Sequence, residues 1–305
     1  MIDFLKINVK NFSPSKLEAN SLLEFITTVN TRTGELGAPI RSRNITTPSR
    51  AAFYRGLEFR IYETGTIIIS GSLHKYWNNG DHNYNDFGVT EVREVLDDLK
   101  IKFGIDPNQC VLKCLEIGVN INPPTPTNSI LDNCFLHKTK PFEYRKNSFE
   151  GKYKQVEHAQ YIIKIYNKAL HYVSKGFKVE AEIMRFEIKY TKMEKLNKLG
   201  IFTLQDLLDY GLCSFKKELL SEWQNVMYYD NTICLDNLSF KIKKALLHYA
   251  NPNYWMDLIT KKRVENFKYH KNQLKRITNK NSFKIHEEVA KAISEKISLL
   301  NSSAT

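Results

Sequence analysis

Two short segments constrain the fold of this chain more than any other feature. Residues Ile163 to Lys168 read Ile-Lys-Ile-Tyr-Asn-Lys, and Met184 to Tyr190 read Met-Arg-Phe-Glu-Ile-Lys-Tyr. Apolar and polar residues alternate in both. Each is therefore expected to be a strand with one buried face and its reactive groups on the other. Tyr166 and Lys168 share a face in the first segment, and Arg185 and Glu187 share one in the second. A third strand is expected over Cys110 to Ile121, with Leu115, Ile117, Val119 and Ile121 on one side. Its other side carries Glu116, Gly118 and Asn120, and a glycine in the middle of such a face lets a backbone or ligand come close.

The remaining pattern is mixed sheet and helix as far as about residue 195, and helical after it. Leu57 to Tyr62, a turn at Glu63 to Gly65, and Thr66 to Ser70 form an expected hairpin. Thr90 is read as the N-cap of a helix through Val92, Val95, Leu96 and Leu99 that ends near Gly104. The proline-rich stretch Asn122 to Asn128 reads as a loop. Thr203 to Asp206 resembles a capping box with Asp in the place of Glu or Gln. Phe215 to Met227 reads as helical, and Glu287 to Leu300 as an amphipathic helix with a stripe of Val289, Ile293, Ile297 and Leu300.

Charge narrows the partners. The 305 residues include 45 Lys and Arg against 33 Asp and Glu, a net charge of +12. That excess points to a polyanion, either nucleic acid or an acidic membrane. No apolar run approaches the roughly 20 residues that a bilayer helix needs, and the first residues lack the basic start and long apolar stretch of a signal peptide. The expectation is a cytoplasmic protein with nucleic acid as partner and no membrane association. Five cysteines (Cys110, Cys114, Cys134, Cys213 and Cys234) form neither a disulfide framework nor a zinc pattern. A nucleophile elbow, a dinucleotide fingerprint and a P-loop are absent from the sequence.

Several groups carry chemistry. A phenol has a pKa near 10 and is a poor nucleophile unaided. Lys168 beside Tyr166 would neutralise a phosphate or a departing oxygen, although a lone Tyr-x-Lys is more often a packed tyrosine next to a solvated lysine. Arg185 and Glu187 read either as a cross-strand ion pair or as a phosphate clamp and a metal-binding carboxylate. Glu116 and Asn120 are oxygen donors suited to Mg²⁺ or Mn²⁺ rather than zinc. The segment from Gly71 to Phe87 is dense in His, Asn and Asp and includes Lys75 and His82. Downstream, Lys261, Lys262, Arg263, Lys268, Lys271, Lys275, Arg276, Lys280 and Lys284 face the single acid Glu265, with aromatic residues between them. Such a run reads as a solvated helix face or as a track for phosphates and stacked bases.

In their order along the chain these blocks resemble a known family. Gly71-Ser-Leu-His-Lys-Tyr76 with Gly80-Asp-His-Asn83 is similar to the Gly-Ser-x-x-Lys-Phe and Gly-His-Asn block of filamentous-phage gene II type replication initiators. Tyr166-Asn-Lys168 and Arg185-Phe-Glu187 resemble the Tyr-Asp-Lys and Arg-Phe-Glu blocks of rolling-circle plasmid initiators of the Rep_trans type. The resemblance runs from about residue 54 to residue 210. It implies an α+β fold, a central antiparallel sheet flanked by helices and related to the His-hydrophobe-His nickases. With the change to a helical pattern near residue 195, the expected division is a nicking domain over residues 1–195 and a helical, basic DNA-binding or accessory region over 196–305. The C-terminal third of the chain carries no such resemblance.

The implied activity is a metal-dependent tyrosine endonuclease that nicks single-stranded or hairpin DNA at a replication origin. Such an enzyme leaves a 5′-phosphotyrosine and a free 3′ hydroxyl for rolling-circle synthesis in a bacterial cytoplasm, with host helicase and polymerase as further partners. Tyr166, Lys168 and Arg185 take the catalytic positions, and Glu116, Asn120, His82 and Glu187 the metal positions. Lys75 and the basic run contact DNA. The His-x-His pair of the broader family is missing, and Glu116, Gly118 and Asn120 stand in its place. Tyr161 and Tyr172 are alternative nucleophiles. A relaxase or transposase with the same chemistry, and a non-catalytic repressor or partition factor, are the competing readings.

Overall fold

The structure is a computed structural model and describes residues 2–29, 31–34, 36, 48–148 and 151–302. In chain order its strands are β1 (Ile2–Val9), β2 (Ile26–Thr27), β3 (Ser49–Tyr54), β4 (Leu57–Tyr62), β5 (Ile67–Ser72), β6 (Cys110–Ile121), β7 (Cys134–His137), β8 (Lys140–Pro141), β9 (Glu143–Ser148), β10 (Gly151–Glu157), β11 (Tyr161–Asn167), β12 (Met184–Tyr190) and β13 (Val226–Tyr228). Ten of them form one sheet in the order β2-β3-β4-β5-β1-β6-β12-β11-β10-β9, and every neighbouring pair is antiparallel. Two meanders thus flank the central pair β1 and β6. A smaller sheet, β13-β7-β8, stands apart. The fold is α+β, an antiparallel sheet flanked by helices.

Alternation has the expected effect. Leu115, Ile117 and Val119 of β6, Phe186 and Ile188 of β12, and Ile163 and Ile165 of β11 are buried together with Phe59, Ile69 and Ile7 from the other half. Helix Val89–Phe103 covers part of this face, with Phe103 4.8 Å from Phe59 between ring centroids. That helix is capped at Gly88, not at Thr90 as expected, because the Glu91 carboxylate turns back to accept the Gly88 N–H. Helices Phe215–Gln224 and Ile285–Ser302 also join this core, through Leu219, Trp223, Val289, Ile293 and Ile297.

The apolar core therefore continues past residue 195, and the helical third contributes to two clusters. The second cluster joins Leu246, Tyr249, Trp255, Leu258, Leu274 and Ile277 to Phe135 and Leu136 of β7. The segments leading into and out of this smaller lobe are tied together. Cys234 N–H donates to the Asn281 carbonyl (2.7 Å), Phe283 N–H to Thr232 Oγ1 (3.0 Å), and Ile285 N–H to the buried Asp230 carboxylate (2.9 Å).

Two sequence expectations are corrected here. The helix beginning at Phe215 ends at Gln224, and Val226–Tyr228 is a strand paired with β7. Lys168 is not on a strand: β11 stops at Asn167, whose side chain caps the helix Lys168–Val173 by accepting the Leu170 N–H at 3.0 Å.

Candidate active site on the polar face of the sheet

Register brings the reactive residues together. Arg185 on β12 lies opposite Asn120 on β6 and Tyr166 on β11, and Tyr166 lies opposite Tyr153 on β10. One step along, Glu187 lies between Gly118 and Lys164. A Cβ at Gly118 would fall 2.9 Å from the Glu187 Cβ and 2.7 Å from the Phe186 carbonyl oxygen, so the glycine is what lets β12 lie here. The same face carries Asp3 of β1, beside a register irregularity between Ile2 and Leu5.

The buried guanidinium of Arg185 is the hub. It donates to Glu187 Oε1 (2.9 Å) and Asn120 Oδ1 (2.8 Å), and lies 3.2 Å from Asp3 Oδ2. Asp3 also accepts from Ser72 Oγ and from the Asn83 amide (2.7 Å). Burial alone would push the Asp3 carboxyl up, but Arg185, Lys168 and those hydrogen bonds outweigh it and hold Asp3 well below the usual range. Glu187 is treated alike: burial opposes its charge, and Arg185 and Lys164 hold it low. Lys164 lies 2.8 Å from Glu116 and 3.9 Å from Glu187, and Lys189 is 2.8 Å from Glu116.

Tyr166 donates to Glu187 Oε1 at 2.7 Å. Burial and the negative charge of Glu187 push its phenol well above 10. Lys168 Nζ lies 3.3 Å from the Tyr166 oxygen. Lys168 is itself buried, and desolvation together with Arg185 lowers it to about 7, with Lys75 adding a smaller push. Tyr166, Tyr153, Lys164, Asp3, Glu116 and Glu187 line a cavity of about 250 Å³.

Asp3, Glu116 and Glu187 each bring a carboxylate oxygen within 4.8 Å of the other two. Glu187 Oε2 is enclosed without a hydrogen-bond partner. An orphaned carboxylate oxygen beside two more hard oxygen donors fits Mg²⁺ or Mn²⁺, with Lys164 and Arg185 already offsetting part of the charge.

The structure thus brings Tyr166, Lys168, Arg185, Glu116, Glu187 and Asn120 onto one face. Asn120 is engaged on both sides: its oxygen accepts from Arg185, and its amide donates to the Asn83 and Tyr84 carbonyls (3.3 and 3.1 Å). His82 is not among the converging ligands. Its ring stacks on Tyr84 at 4.2 Å, and its enclosed Nδ1 has no hydrogen-bond partner. Tyr161 lies on the opposite face, bonded to Lys138 (2.6 Å) and Glu222 (3.2 Å), and Tyr172 holds the Asn83 backbone (3.1 Å).

Lys75 sits on the helix Leu73–Trp77, capped by Ser72. In the basic run, Lys261 pairs with Asp257 (2.7 Å) and Lys268 with Glu265 (3.3 Å); Lys262 and Arg263 lead into the helix Val264–Asn281, which carries Lys271, Lys275 and Arg276 on its exposed positions. Asp3 went unread in the sequence. Its signal was an acid inside an apolar segment, Ile-Asp-Phe-Leu, together with the Ser72 and Asn83 block that turns out to hold it.

No protein-family model and no curated protein matches the chain. Among solved structures, a rolling circle replication initiator protein from Geobacillus stearothermophilus aligns with 82% of this chain and 96% of its own, at 14% identity and a TM-score of 0.43.

Proposed function

We propose that this chain is a replication initiator that nicks and rejoins single-stranded DNA at an origin, with Tyr166 as the nucleophile. The observation that carries the reading is the convergence of Tyr166 with three carboxylates in one cavity, with Lys168 against the phenol and Arg185 against Asp3 and Glu187. A phenol, a lysine near its midpoint of titration and a buried arginine are suited to attack on a phosphodiester. The ordered sequence blocks add a specific enzyme class to that chemistry.

In the proposed step, the neutral amine of Lys168 takes the phenol proton as Tyr166 Oη bonds to phosphorus. The P–O3′ bond breaks, and the 3′ oxygen leaves with a proton from solvent. The DNA is then held as a 5′-phosphotyrosine ester, and reversal by a 3′ hydroxyl rejoins it. Arg185 fixes Glu187 and Asp3 and offsets charge in the cavity. A divalent cation held by Asp3, Glu116 and Glu187 would polarise the phosphate. His82 and Asn120 serve by shaping the loop and anchoring Arg185.

The test is a covalent protein–DNA adduct, resolved on denaturing gels after incubation with labelled single-stranded DNA from the replicon and Mn²⁺ or Mg²⁺. The adduct is expected with the wild type and lost with Tyr166→Phe or chelator. An adduct that survives Tyr166→Phe moves the nucleophile elsewhere. A protein that binds these DNAs but gives no adduct with any of them is a repressor or partition factor instead.

A further inference from the structure

A second cavity, of about 420 Å³, lies among β13, the helix Val264–Asn281 and the start of the helix Ile285–Ser302. It shares no lining residue with the cavity at Tyr166. Lys271, Lys275 and Lys284 line it, and none of the three ammonium groups pairs with a carboxylate among the described residues. Glu287 is the one acid in the lining. Lys271 and Lys275 are four apart on one helix and so project side by side, and burial with the neighbouring Lys275 lowers the Lys271 ammonium. Two lysines side by side with no carboxylate partner offer a place for an anion.

The same cavity has aromatic lining. Tyr228 and His286 both line the cavity, their rings 24° from parallel with centroids 6.0 Å apart. Behind them His286 stacks on the buried Trp223 at 5.1 Å. Two hydrogen bonds lock that arrangement: Trp223 Nε1 donates to the His286 carbonyl (3.0 Å), and His286 Nε2 lies 3.1 Å from the Trp223 carbonyl. A fixed aromatic surface in one cavity with cations that have no carboxylate partner matches a nucleotide, which has a flat base at one end and phosphate at the other. The volume is in the range of sites that enclose a ligand of that size.

We propose that this cavity receives one nucleotide of the single-stranded DNA, its base against Tyr228 and His286 and its phosphates between Lys271, Lys275 and Lys284. The assignment rests on the reading that the chain acts on DNA, and it gives the strand a second anchor in addition to Tyr166.

Full-length protein would be titrated with fluorescein-labelled oligothymidylate at several salt concentrations, using fluorescence anisotropy. The double variant Lys271→Gln, Lys275→Gln is expected to bind about tenfold more weakly, with the slope of log K against log salt reduced by about 1.4, since each phosphate contact on a single strand contributes about 0.7. Lys243→Gln with Lys244→Gln, on the exposed face of a neighbouring helix, removes the same charge and is expected to change affinity far less. Tyr228→Leu should weaken binding about tenfold without changing the salt slope. Iodouracil in the oligonucleotide should photo-crosslink to Tyr228 or His286.

Equal losses in the two double-lysine variants would overturn the proposal, since charge alone would then explain binding. So would unchanged binding by Tyr228→Leu together with no crosslink at either ring. The adduct assay on the same proteins separates the two readings. Adduct formation with binding indifferent to the cavity sinks this proposal alone. Cavity-dependent binding without any adduct sinks the nicking reading alone.

Discussion

In the proposed mechanism the chemistry turns on Lys168, because a lysine lowered to about 7 changes its charge near neutral pH. Below that value the ammonium holds its proton and cannot accept one from Tyr166; above it the amine is free. The rate of adduct formation is therefore expected to rise as pH passes upward through about 7 and then to level off. Lys168→Arg, which keeps its charge throughout, should remove the rise; a pH profile identical to that of the wild type would rule Lys168 out as the base. Asp3 also acts on stability. Its carboxyl is held below the unfolded value, so its stabilisation is complete above about pH 4 and lost as pH falls through the folded value. Asp3→Asn should cost on the order of 3–5 kcal/mol near neutral pH, the scale for breaking a buried pair. Urea unfolding across a pH series should show that difference shrinking in acid.

At the scale of elements, the strands were legible and their neighbours were not. Alternation alone identifies β6, β11 and β12, and it puts Glu116, Arg185, Glu187 and Tyr166 on the sides opposite the apolar face. Register is what makes these four a site, and register depends on partners far away in sequence. Asp3 was missed for that reason: it joins the site through pairing between β1 and β6, across more than a hundred residues. Lys168 was placed correctly beside Tyr166 but through the wrong element, since helix geometry after Asn167 returns its long side chain to the phenol. Val226–Tyr228 reads as the end of a helix because its apolar residues continue the preceding stripe; only β7 makes it a strand.

The amphipathic stripe of the last helix was read from spacing, and its destination was not. Val289, Ile293 and Ile297 are wholly buried in the main core. Ile293→Ala is expected to destabilise the sheet by about 2–5 kcal/mol, seen as a lower denaturation midpoint with a reduced yield of adduct. A variant with unchanged stability would mean that the helix is not part of that core.

For the whole molecule, the net charge of +12 spoke for a polyanion, and the structure sorts that charge into two kinds. Lys164, Lys168, Arg185 and Lys189 are committed to carboxylates or to Tyr166. Lys271, Lys275 and Lys284 are not. The clasp between Asp230–Cys234 and Asn281–Ile285 has a topological result. The smaller lobe is a closed handle: the chain leaves the main body and comes back at one point. A protein cut short at residue 281 would lose the helix that seals the sheet, and should fail to unfold cooperatively. A chain in which a short glycine link replaces the residues between Cys234 and Asn281 should retain the cooperative transition and the Tyr166 adduct, and lose the nucleotide cavity. On this topology the smaller lobe is expected to be removable from the middle of the chain but not from its end.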